Sequence, residues 1–478
     1  MSRGTPGKQL KTRSIRPGHR IRLRRWGAAK FAGVGSLAVV VALACPSAVA
    51  VEDHSKGHAD SAPKLSQLPT NAWAANSINT SIFRADPIAS DEESQFVTYY
   101  NPAGEVVVAK RALDGVDWES AILPFKGNLG DAHNGVVIGV DSAGYVHLAW
   151  DHHNNPLHYA RSTEPGSLTF SDPMPMTGKV EGSVTYPQFF KLDDGTLLFM
   201  YRDGSSGNGN TVLNRYDPDA ERWTQLHDNL VSGEGQRNAY TQAAAGPDGS
   251  LHLSWVWRET WDVSTNHDIC YAYSPDGGQT WQNSTGDELE LPITQATAEV
   301  ALPVPQRHEL INQTSMCTDS RGRPVIATYF RPEGETVPQF FVVYHDGEQW
   351  HSEQASQRTT PFSLSGGGTK RIPISRPQIL AEATDDGSTA AWLLMRDIDD
   401  GNGHVTALHT AQLGSGNWSS RELTDFSVDL WEPAYDRSRW ERDGVLSLYV
   451  QKAGQGDGEG TEDVPPQPAF VLDWDPTP

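Results

Sequence analysis

A chain of 478 residues with 60 acidic and 38 basic side chains carries a formal charge of −22, which excludes bulk electrostatic attraction to nucleic acid or anionic membranes. Its three cysteines are too few for a disulfide scaffold, and its length is sufficient to bury a large core. An anionic ligand would therefore have to be bound by a local cluster of basic side chains.

The first 50 residues have the pattern of a secretory signal. Ten basic and no acidic side chains lie within residues 3–30, an apolar run follows over residues 31–44, and residues 48–50 (Ala-Val-Ala) form a small-x-small cleavage site. The apolar run is too short to span a membrane. We predict a signal peptide over residues 1–50, cleaved near Ala50, and an extracellular mature protein that does not bind membranes. Its 28 basic and 60 acidic residues correspond to a formal charge of −32.

The rest of the chain has a β-strand pattern throughout. Residues 51–70 are polar and contain Pro and Ser, and we predict a disordered leader there. Over residues 71–478, short runs of alternating apolar residues recur between Gly, Asp and Asn turns, and no long stretch has helical periodicity. This pattern predicts a single all-β catalytic domain.

One unit recurs seven times: a polar turn that ends in glycine, followed by an alternating strand. The turn glycines are Gly104, Gly144, Gly195, Gly249, Gly322, Gly387 and Gly444. Repeats of roughly 40–50 residues, each forming one small antiparallel sheet, are typical of a propeller. The seven turns therefore predict a seven-bladed β-propeller, with a β-helix or a pair of sandwiches as the alternative.

A second motif agrees with this fold. The stretch SPDGGQTW at residues 274–281 matches the Asp-box, a hairpin turn of sialidase-like (BNR) propellers. In such a turn the side chains of Asp276 and Thr280 hold the loop together, and Trp281 packs between strands. The motif is structural and does not assign a reaction.

The turns also predict which residues face each other across a hairpin. With Gly249 and Gly387 as fold points, Tyr240 faces Arg258 and Gln378 faces Arg396, because each pair is equidistant from its glycine. The same counting gathers further basic, Tyr and His residues at one end of successive blades: His133, His153, Tyr186, Arg202, Arg331 and Lys452. This predicts a central canyon that binds a carboxylate or sulfate through Arg side chains. The alternative is that the arginines only pair with nearby carboxylates.

The side chains of this canyon suit β-elimination from a uronic acid. That reaction needs a base for the proton at C5, an acid for the departing O4 and a cation beside the carboxylate. Tyr, His and Arg side chains provide all three. No convincing pair of carboxylates for glycoside hydrolysis and no serine nucleophile elbow is present in the sequence.

At the same residues the sequence resembles BNR-repeat polysaccharide lyases, in particular ulvan lyases and propeller relatives that act on rhamnose–glucuronate linkages. The matching stretches are Asp131–Asn134 (DAHN), Trp150–His153 (WDHH), Val184–Pro187 (VTYP), Tyr201–Gly207 (YRDGSSG) and Val256–Arg258 (VWR). The resemblance is strong from about residue 76 to residue 281 and looser towards the C-terminus. It implies a secreted, seven-bladed polysaccharide lyase that cleaves glycosidic bonds to uronic acid residues.

The resemblance also implies roles for individual residues. His133 and Tyr186 would be the base and the acid, in either assignment. Arg202 would neutralise the uronate carboxylate, and His153 would orient the substrate or share that task. The expected substrate-binding residues are Tyr240, Arg258, Arg331, Arg396 and Asn134. No cofactor would be required for catalysis, and we expect a monomer that binds an anionic polysaccharide.

Lyases of this kind can contain a structural zinc ion. His267, Cys270 and Cys317 could supply nitrogen and sulfur ligands, with His308 as a fourth. A disulfide between the two cysteines and two buried free thiols are the alternatives.

Two other functions fit the same scaffold. The first is an exo-glycosidase, either an α-L-rhamnosidase acting on rhamnose that caps glucuronate or a sialidase. The second is a non-catalytic glycan-binding propeller. A binding protein would keep the arginines, but it would have no reason to place His133 opposite His153 beside Tyr186.

Overall fold

The computed structural model describes residues 62–81 and 85–476, so the predicted signal peptide lies outside the described residues. Within them the only α-helix is α1 (Arg437–Asp443), and short 3-10 helices occupy Ser77–Asn79, Pro247–Gly249 and Val263–Thr265. None of these helices is long and apolar enough to cross a membrane.

All other regular structure in the described chain is β-strand. The first strands are β1 (Lys64–Gln67), β2 (Ile88–Ser90), β3 (Ser94–Tyr100), β4 (Glu105–Ala112), β5 (Glu119–Lys126), β6 (Val136–Val140), β7 (Val146–Trp150), β8 (His153–Asn155), β9 (Tyr159–Arg161), β10 (Val184–Lys191), β11 (Leu197–Ser205), β12 (Asn208–Asp217) and β13 (Arg222–His227). They are followed by β14 (Asn238–Ala245), β15 (Leu251–Arg258), β16 (Asn266–Ser274), β17 (Glu299–Leu302), β18 (Ser315–Thr318), β19 (Pro324–Phe330), β20 (Gln339–His345), β21 (Trp350–Gln354), β22 (Gln378–Ala383), β23 (Thr389–Met395), β24 (Thr406–Thr410), β25 (Ser419–Glu422), β26 (Leu446–Gln451) and β27 (Ala469–Trp474).

These strands form seven antiparallel sheets, which confirms the seven-bladed β-propeller. Blade 1 is β2–β5, blade 2 is β6, β7 and β9, and blade 3 is β10–β13 with β8 at its inner edge. Blades 4, 5 and 6 are β14–β17, β18–β21 and β22–β25, and blade 7 contains β26, β27 and β1. The inner strands β2, β6, β10, β14, β18 and β22 contact one another in this order around the centre. Apolar clusters between neighbouring blades form the core, as in the cluster of Leu198, Leu213, Ala243 and Trp255.

The ring is closed by the N-terminal strand. All four residues of β1 (Lys64–Gln67) pair with β27, so blade 7 combines both ends of the described chain. The prediction of a disordered leader over residues 51–70 is therefore wrong for this strand; residues 51–61 lie outside the described part. The physical reason is that β1 satisfies the backbone hydrogen bonds of an otherwise open sheet edge.

The hairpin registers of blades 4, 5 and 6 differ from the predicted ones, because each hairpin is centred on the residue before its turn glycine. Asn238, not Tyr240, faces Arg258, and Gln378 faces Leu394. The fold point is the residue before each glycine, and Gly249 and Gly387 follow it with positive φ angles of 74° and 93°. A shift of two residues leaves every side chain on the same face of its strand. The strand face predicted for each side chain is therefore still correct.

The Asp-box prediction is confirmed. The carboxylate of Asp276 accepts hydrogen bonds from the backbone N–H and the hydroxyl of Thr280, at 2.9 and 2.7 Å. Trp281 is buried in the cluster between blades 3 and 4.

Candidate active site

A cavity of about 370 Å³ opens at the face where the inner strands begin. Blades 2 to 5 and the loop before blade 6 form its wall. The lining residues are His133, His153, Tyr186, Ser206, Tyr240, Arg258, Trp261, Val263, Ile311, Asn312, Gly367, Gly368, Lys370, Ile372 and Arg376. The structure thus brings together five side chains predicted for catalysis or substrate binding: His133, His153, Tyr186, Tyr240 and Arg258. The hairpin turns lie at the opposite end of the strands, around a separate depression lined by turn residues such as Asp141 and Asp194.

Asp131 holds the two histidines of the site. Its two carboxylate oxygens accept hydrogen bonds from Nδ1 of His133 and Nδ1 of His153, both at 2.6 Å. The imidazole rings stack with centroids 4.1 Å apart and an angle of 17° between their planes. Burial raises the pKa of Asp131, but the hydrogen bonds from the two imidazoles outweigh burial and hold the pKa well below its usual range. Because Nδ1 of each ring is bonded to a carboxylate, any chemistry of these imidazoles would involve Nε2.

His133 is positively charged in this arrangement. Burial alone would lower its pKa, but hydrogen bonds and Coulomb attraction from Asp131 and Glu459 raise the pKa to about 9. Glu459 lies between β26 and β27, and its Oε1 is 3.2 Å from Nδ1 of His133. At neutral pH this side chain is therefore an imidazolium, which donates protons and attracts carboxylates.

Tyr186 enters the cavity from a β-bulge at the start of β10. Thr185 pairs with Arg202 and Gln188 pairs with Met200, so the register shifts between them, and Tyr186 has a positive φ of 53°. A bulge of this kind redirects a side chain out of the regular alternation. The ring centroid of Tyr186 lies 5.9 Å from that of His133. Burial and the neighbouring Tyr240 raise the pKa of Tyr186, so it remains a neutral phenol at neutral pH.

Tyr240 has the opposite protonation tendency to Tyr186. Its hydroxyl accepts a hydrogen bond from Nη1 of Arg258 at 3.1 Å and is 3.0 Å from Oγ of Ser206. Burial raises its pKa, but the positive charges of Arg258 and Arg202 outweigh burial and lower the pKa to about 7. Its ring centroid is 5.8 Å from that of Tyr186. The site therefore contains a neutral phenol beside a phenol that ionises readily.

Arg202, predicted to neutralise the substrate carboxylate, lies behind the two tyrosines. Its guanidinium carbon is 4.8 Å from the Tyr186 ring centroid and 5.5 Å from the Tyr240 ring centroid, and its Nε donates to the carbonyl of Gly204. It is absent from the residues that line the described cavity, where the cations are Arg258, Lys370 and Arg376. Neither Lys370 nor Arg376 was identified from the sequence. Both come from the loop before blade 6, which has no recognisable motif.

Three residues predicted to bind substrate do not line the cavity. Arg331 forms an ion pair with Glu309 at 2.6 Å. Arg396 is fully buried and donates to the backbone carbonyls of Trp431 and Ile372. Asn134 is buried and donates to the carbonyl of residue 128 at 3.4 Å. Arg331 and Arg396 thus agree with the alternative hypothesis, in which the basic side chains only bind nearby groups of the protein.

The predicted zinc ligands are not brought together. Cys270 packs between blades 3 and 4 and Cys317 packs between blades 5 and 6, each as a buried free thiol. His267 lies between the carboxylates of Glu259 and Asp268, at 2.9 Å from each, and His308 Nδ1 is 2.9 Å from the carbonyl oxygen of residue 331. These residues do not fit a tetrahedral zinc site, because the cysteines belong to different clusters of the core.

Only Asp131, His133 and His153 form a group of three closely spaced donor atoms within residues 62–81 and 85–476. Their oxygen–nitrogen separations of 2.6 Å are those of hydrogen bonds. We therefore interpret the group as a carboxylate that orients two imidazoles.

Comparison with known proteins identifies the family. The model of the BNR repeat-containing family matches residues 94–358. An ulvan lyase, long isoform, of Alteromonas sp is 34% identical over 122 residues, which are 23% of this chain and 12% of that protein, so the chain spans far less than two thirds of that relative's length.

Among solved structures, polysaccharide lyase Uly1 superposes with a TM-score of 0.63 at 16% identity, covering 85% of this chain and 92% of the other. A PL25 ulvan lyase bound to -[GlcA(1-4)Rha3S]- gives a TM-score of 0.62 at 14% identity, covering 83% and 96%. At these identities the superpositions establish the propeller fold alone, whereas the family match extends over more than half of the sequence. The chain belongs to the BNR repeat-containing family.

Proposed function

We propose that this protein is an extracellular polysaccharide lyase that cleaves glycosidic bonds to uronic acid residues by β-elimination. The observation that carries the proposal is the composition of the cavity wall, which contains two tyrosines, two histidines and three cations but no Asp or Glu among its described residues. Asp131 and Glu459 contact His133 but are not among the lining residues, so the lining itself offers no pair of carboxylates for hydrolysis. The related protein of Alteromonas sp is named an ulvan lyase, and a solved propeller of the same fold holds a glucuronate-containing oligosaccharide.

The charges of the site suit an acidic sugar. The His133 imidazolium faces the cavity together with the Arg258 guanidinium, within a chain whose overall charge is negative. A uronate carboxylate bound to these cations becomes a better electron sink, so the proton at C5 is removed more easily. This assignment gives His133 an electrostatic role, whereas the sequence had favoured it as a base or an acid.

The two tyrosines would then move the protons. Tyr240, whose pKa is lowered to about 7 by Arg258 and Arg202, takes the proton from C5 in its phenolate form. The electron pair of the broken C5–H bond forms the C4–C5 double bond, and the C4–O4 bond breaks with its pair on O4. Tyr186, a neutral phenol, donates its proton to O4. The products are an unsaturated uronate and a new chain end, and no water is consumed.

A direct assay tests the reaction class. The full-length protein is incubated with ulvan and, separately, with rhamnose-capped arabinogalactan, and both ultraviolet absorbance of the unsaturated uronate and new reducing ends are followed. We expect both signals with ulvan. Reducing ends without the absorbance would indicate a hydrolase, and neither signal alongside retained binding would indicate a glycan-binding propeller.

The Tyr186→Phe variant tests the site. It removes the proton donated to O4 but keeps the ring, so turnover should fall by about 10²-fold or more while polysaccharide binding stays close to that of the wild type. Tyr145→Phe is the matched control, because Tyr145 lies beside the hairpin turn of blade 2 at the opposite end of the strands. A Tyr186→Phe protein with nearly normal turnover would contradict the assignment.

A further inference from the structure

Trp261 is an exposed aromatic side chain at the mouth of the cavity. Its relative exposure is 65%, and it is the only aromatic residue among the exposed large hydrophobic residues of the described chain. It lines the same cavity as Tyr240 and Arg258. Burial of a large aromatic side chain is strongly favourable, so an indole held in water at a cavity mouth marks a surface suited to a ligand.

The backbone around Trp261 is held from two sides. The guanidinium of Arg258 donates to the carbonyl of Trp261 and, at 3.1 Å, to the carbonyl of Thr260. On the other side, Asp262 accepts a hydrogen bond from the backbone N–H of Gly366 at 2.8 Å, and the N–H of Val263 donates to the Gly366 carbonyl at 2.9 Å. The segment after β15 is therefore bound both to Arg258 and to the loop before blade 6.

The indole itself packs against a glycine. A Cβ atom placed on Gly367 would lie 2.9 Å from Cε3 of Trp261, which is closer than two carbon atoms approach without displacement. Only a residue without a side chain allows this contact. One part of the indole is thus supported by backbone, while most of its surface stays open to solvent.

We propose that Trp261 forms a sugar-binding subsite, on which the pyranose ring next to the bound uronate stacks through its apolar C–H face. The inference rests on the proposed function and extends it, because it identifies what holds the neighbouring sugar. Arg258 is hydrogen-bonded to the Trp261 backbone and lines the same cavity, so the indole shares the cavity with the cation proposed to face the uronate. A rigid aromatic side chain provides a large contact area at low cost in conformational entropy.

Stacking on a residue that does not touch the reacting atoms contributes to binding of substrate and transition state alike. Its loss should therefore raise KM and leave kcat nearly unchanged. We expect Trp261→Ala to raise KM for ulvan about tenfold, which corresponds to about 1.4 kcal/mol. Trp261→Phe should recover most of the affinity, and Gly367→Ala, which displaces the indole without altering it, should also raise KM.

The kinetic test compares these variants with Val116→Ala, a control at a residue of 68% exposure in blade 1 that does not line the cavity. A tenfold increase in KM at constant kcat for Trp261→Ala, with wild-type constants for Val116→Ala, supports the subsite. An unchanged KM, or a fall in kcat at constant KM, overturns it.

Failure of the proposed function would be recognised separately, because the wild type would then form no unsaturated product. In that case retention of the full-length proteins in native gels containing ulvan decides the inference. Weaker retention of Trp261→Ala than of Val116→Ala supports the subsite, and equal retention overturns it.

Discussion

Glu459 provides a specific test of the electrostatics of the site. It comes from blade 7, yet its Oε1 lies 3.2 Å from Nδ1 of His133 in blade 2, and it accepts a hydrogen bond from the backbone N–H of Thr369 at 2.8 Å. The Glu459→Gln substitution keeps the shape of the side chain and removes its charge. Because this charge helps to raise the pKa of His133 to about 9, we expect that pKa to fall.

The size of the fall follows from the separation and the exposure of the two groups. Unit charges about 4 Å apart interact by about 1 kcal/mol in bulk water and by about 4 kcal/mol at the effective dielectric constant of a protein surface. The Glu459 side chain is 35% exposed, so solvent screening places the interaction near the lower value. Since one pKa unit equals about 1.36 kcal/mol, the pKa of His133 should fall by about one unit. Asp131, 2.6 Å from the same nitrogen, should keep it above 6.5.

The pKa can be measured by NMR titration of the protein labelled with ¹³C at histidine Cε1, with the His133 resonance assigned from a His133→Gln spectrum. Glu462→Gln is the control, because Glu462 lies in the same segment but pairs with Arg371 at 2.9 Å. An unchanged His133 midpoint in Glu459→Gln would refute the reasoning.

The Glu459→Gln substitution should also lower the free energy of unfolding. Because folding raises the pKa of His133, the charged form of this side chain stabilises the folded protein. The stabilisation is complete below pH 6.5 and is lost as the pH rises through about 9. Glu459→Gln should therefore lower the free energy of unfolding more at mildly acidic than at strongly alkaline pH.

Two further predictions concern Tyr240 and the core. Arg258→Gln removes the charge that lowers the pKa of Tyr240 to about 7, so this pKa should rise and activity should shift to more alkaline pH; an ultraviolet titration of the phenolate that matches the wild type would disprove this. Gly139→Ala would place a Cβ atom 2.8 Å from the ring of Phe189 and should reduce the free energy of unfolding by about 1–3 kcal/mol in urea denaturation. Gly182→Ala, whose Cβ atom would meet no atom within 4 Å, should leave stability almost unchanged, and equal effects of the two would count against the packing argument.

The fold was predictable because its signals are local. A polar turn ending in glycine and an alternating strand are each decided within about ten residues, and seven copies are sufficient to indicate seven blades. The Asp-box around Asp276 was predicted correctly for the same reason, because all of its residues lie within one short stretch of the sequence. The register error at Gly249 came from the exact position of the turn, which the strand pattern does not specify. Since it was an error of two residues, Tyr240 and Arg258 still face the same cavity.

The sequence by itself determined the propeller and indicated a cavity containing His133, His153, Tyr186, Tyr240 and Arg258. Only the tertiary structure decided the neighbours of these side chains and therefore their charges. The Glu459 carboxylate reaches His133 from more than 300 positions away, because closure of the ring brings blade 7 beside the first blades. A pKa depends on burial and on every charge within a few ångströms, and such distances between remote segments follow from the packing of whole blades, which no local pattern records.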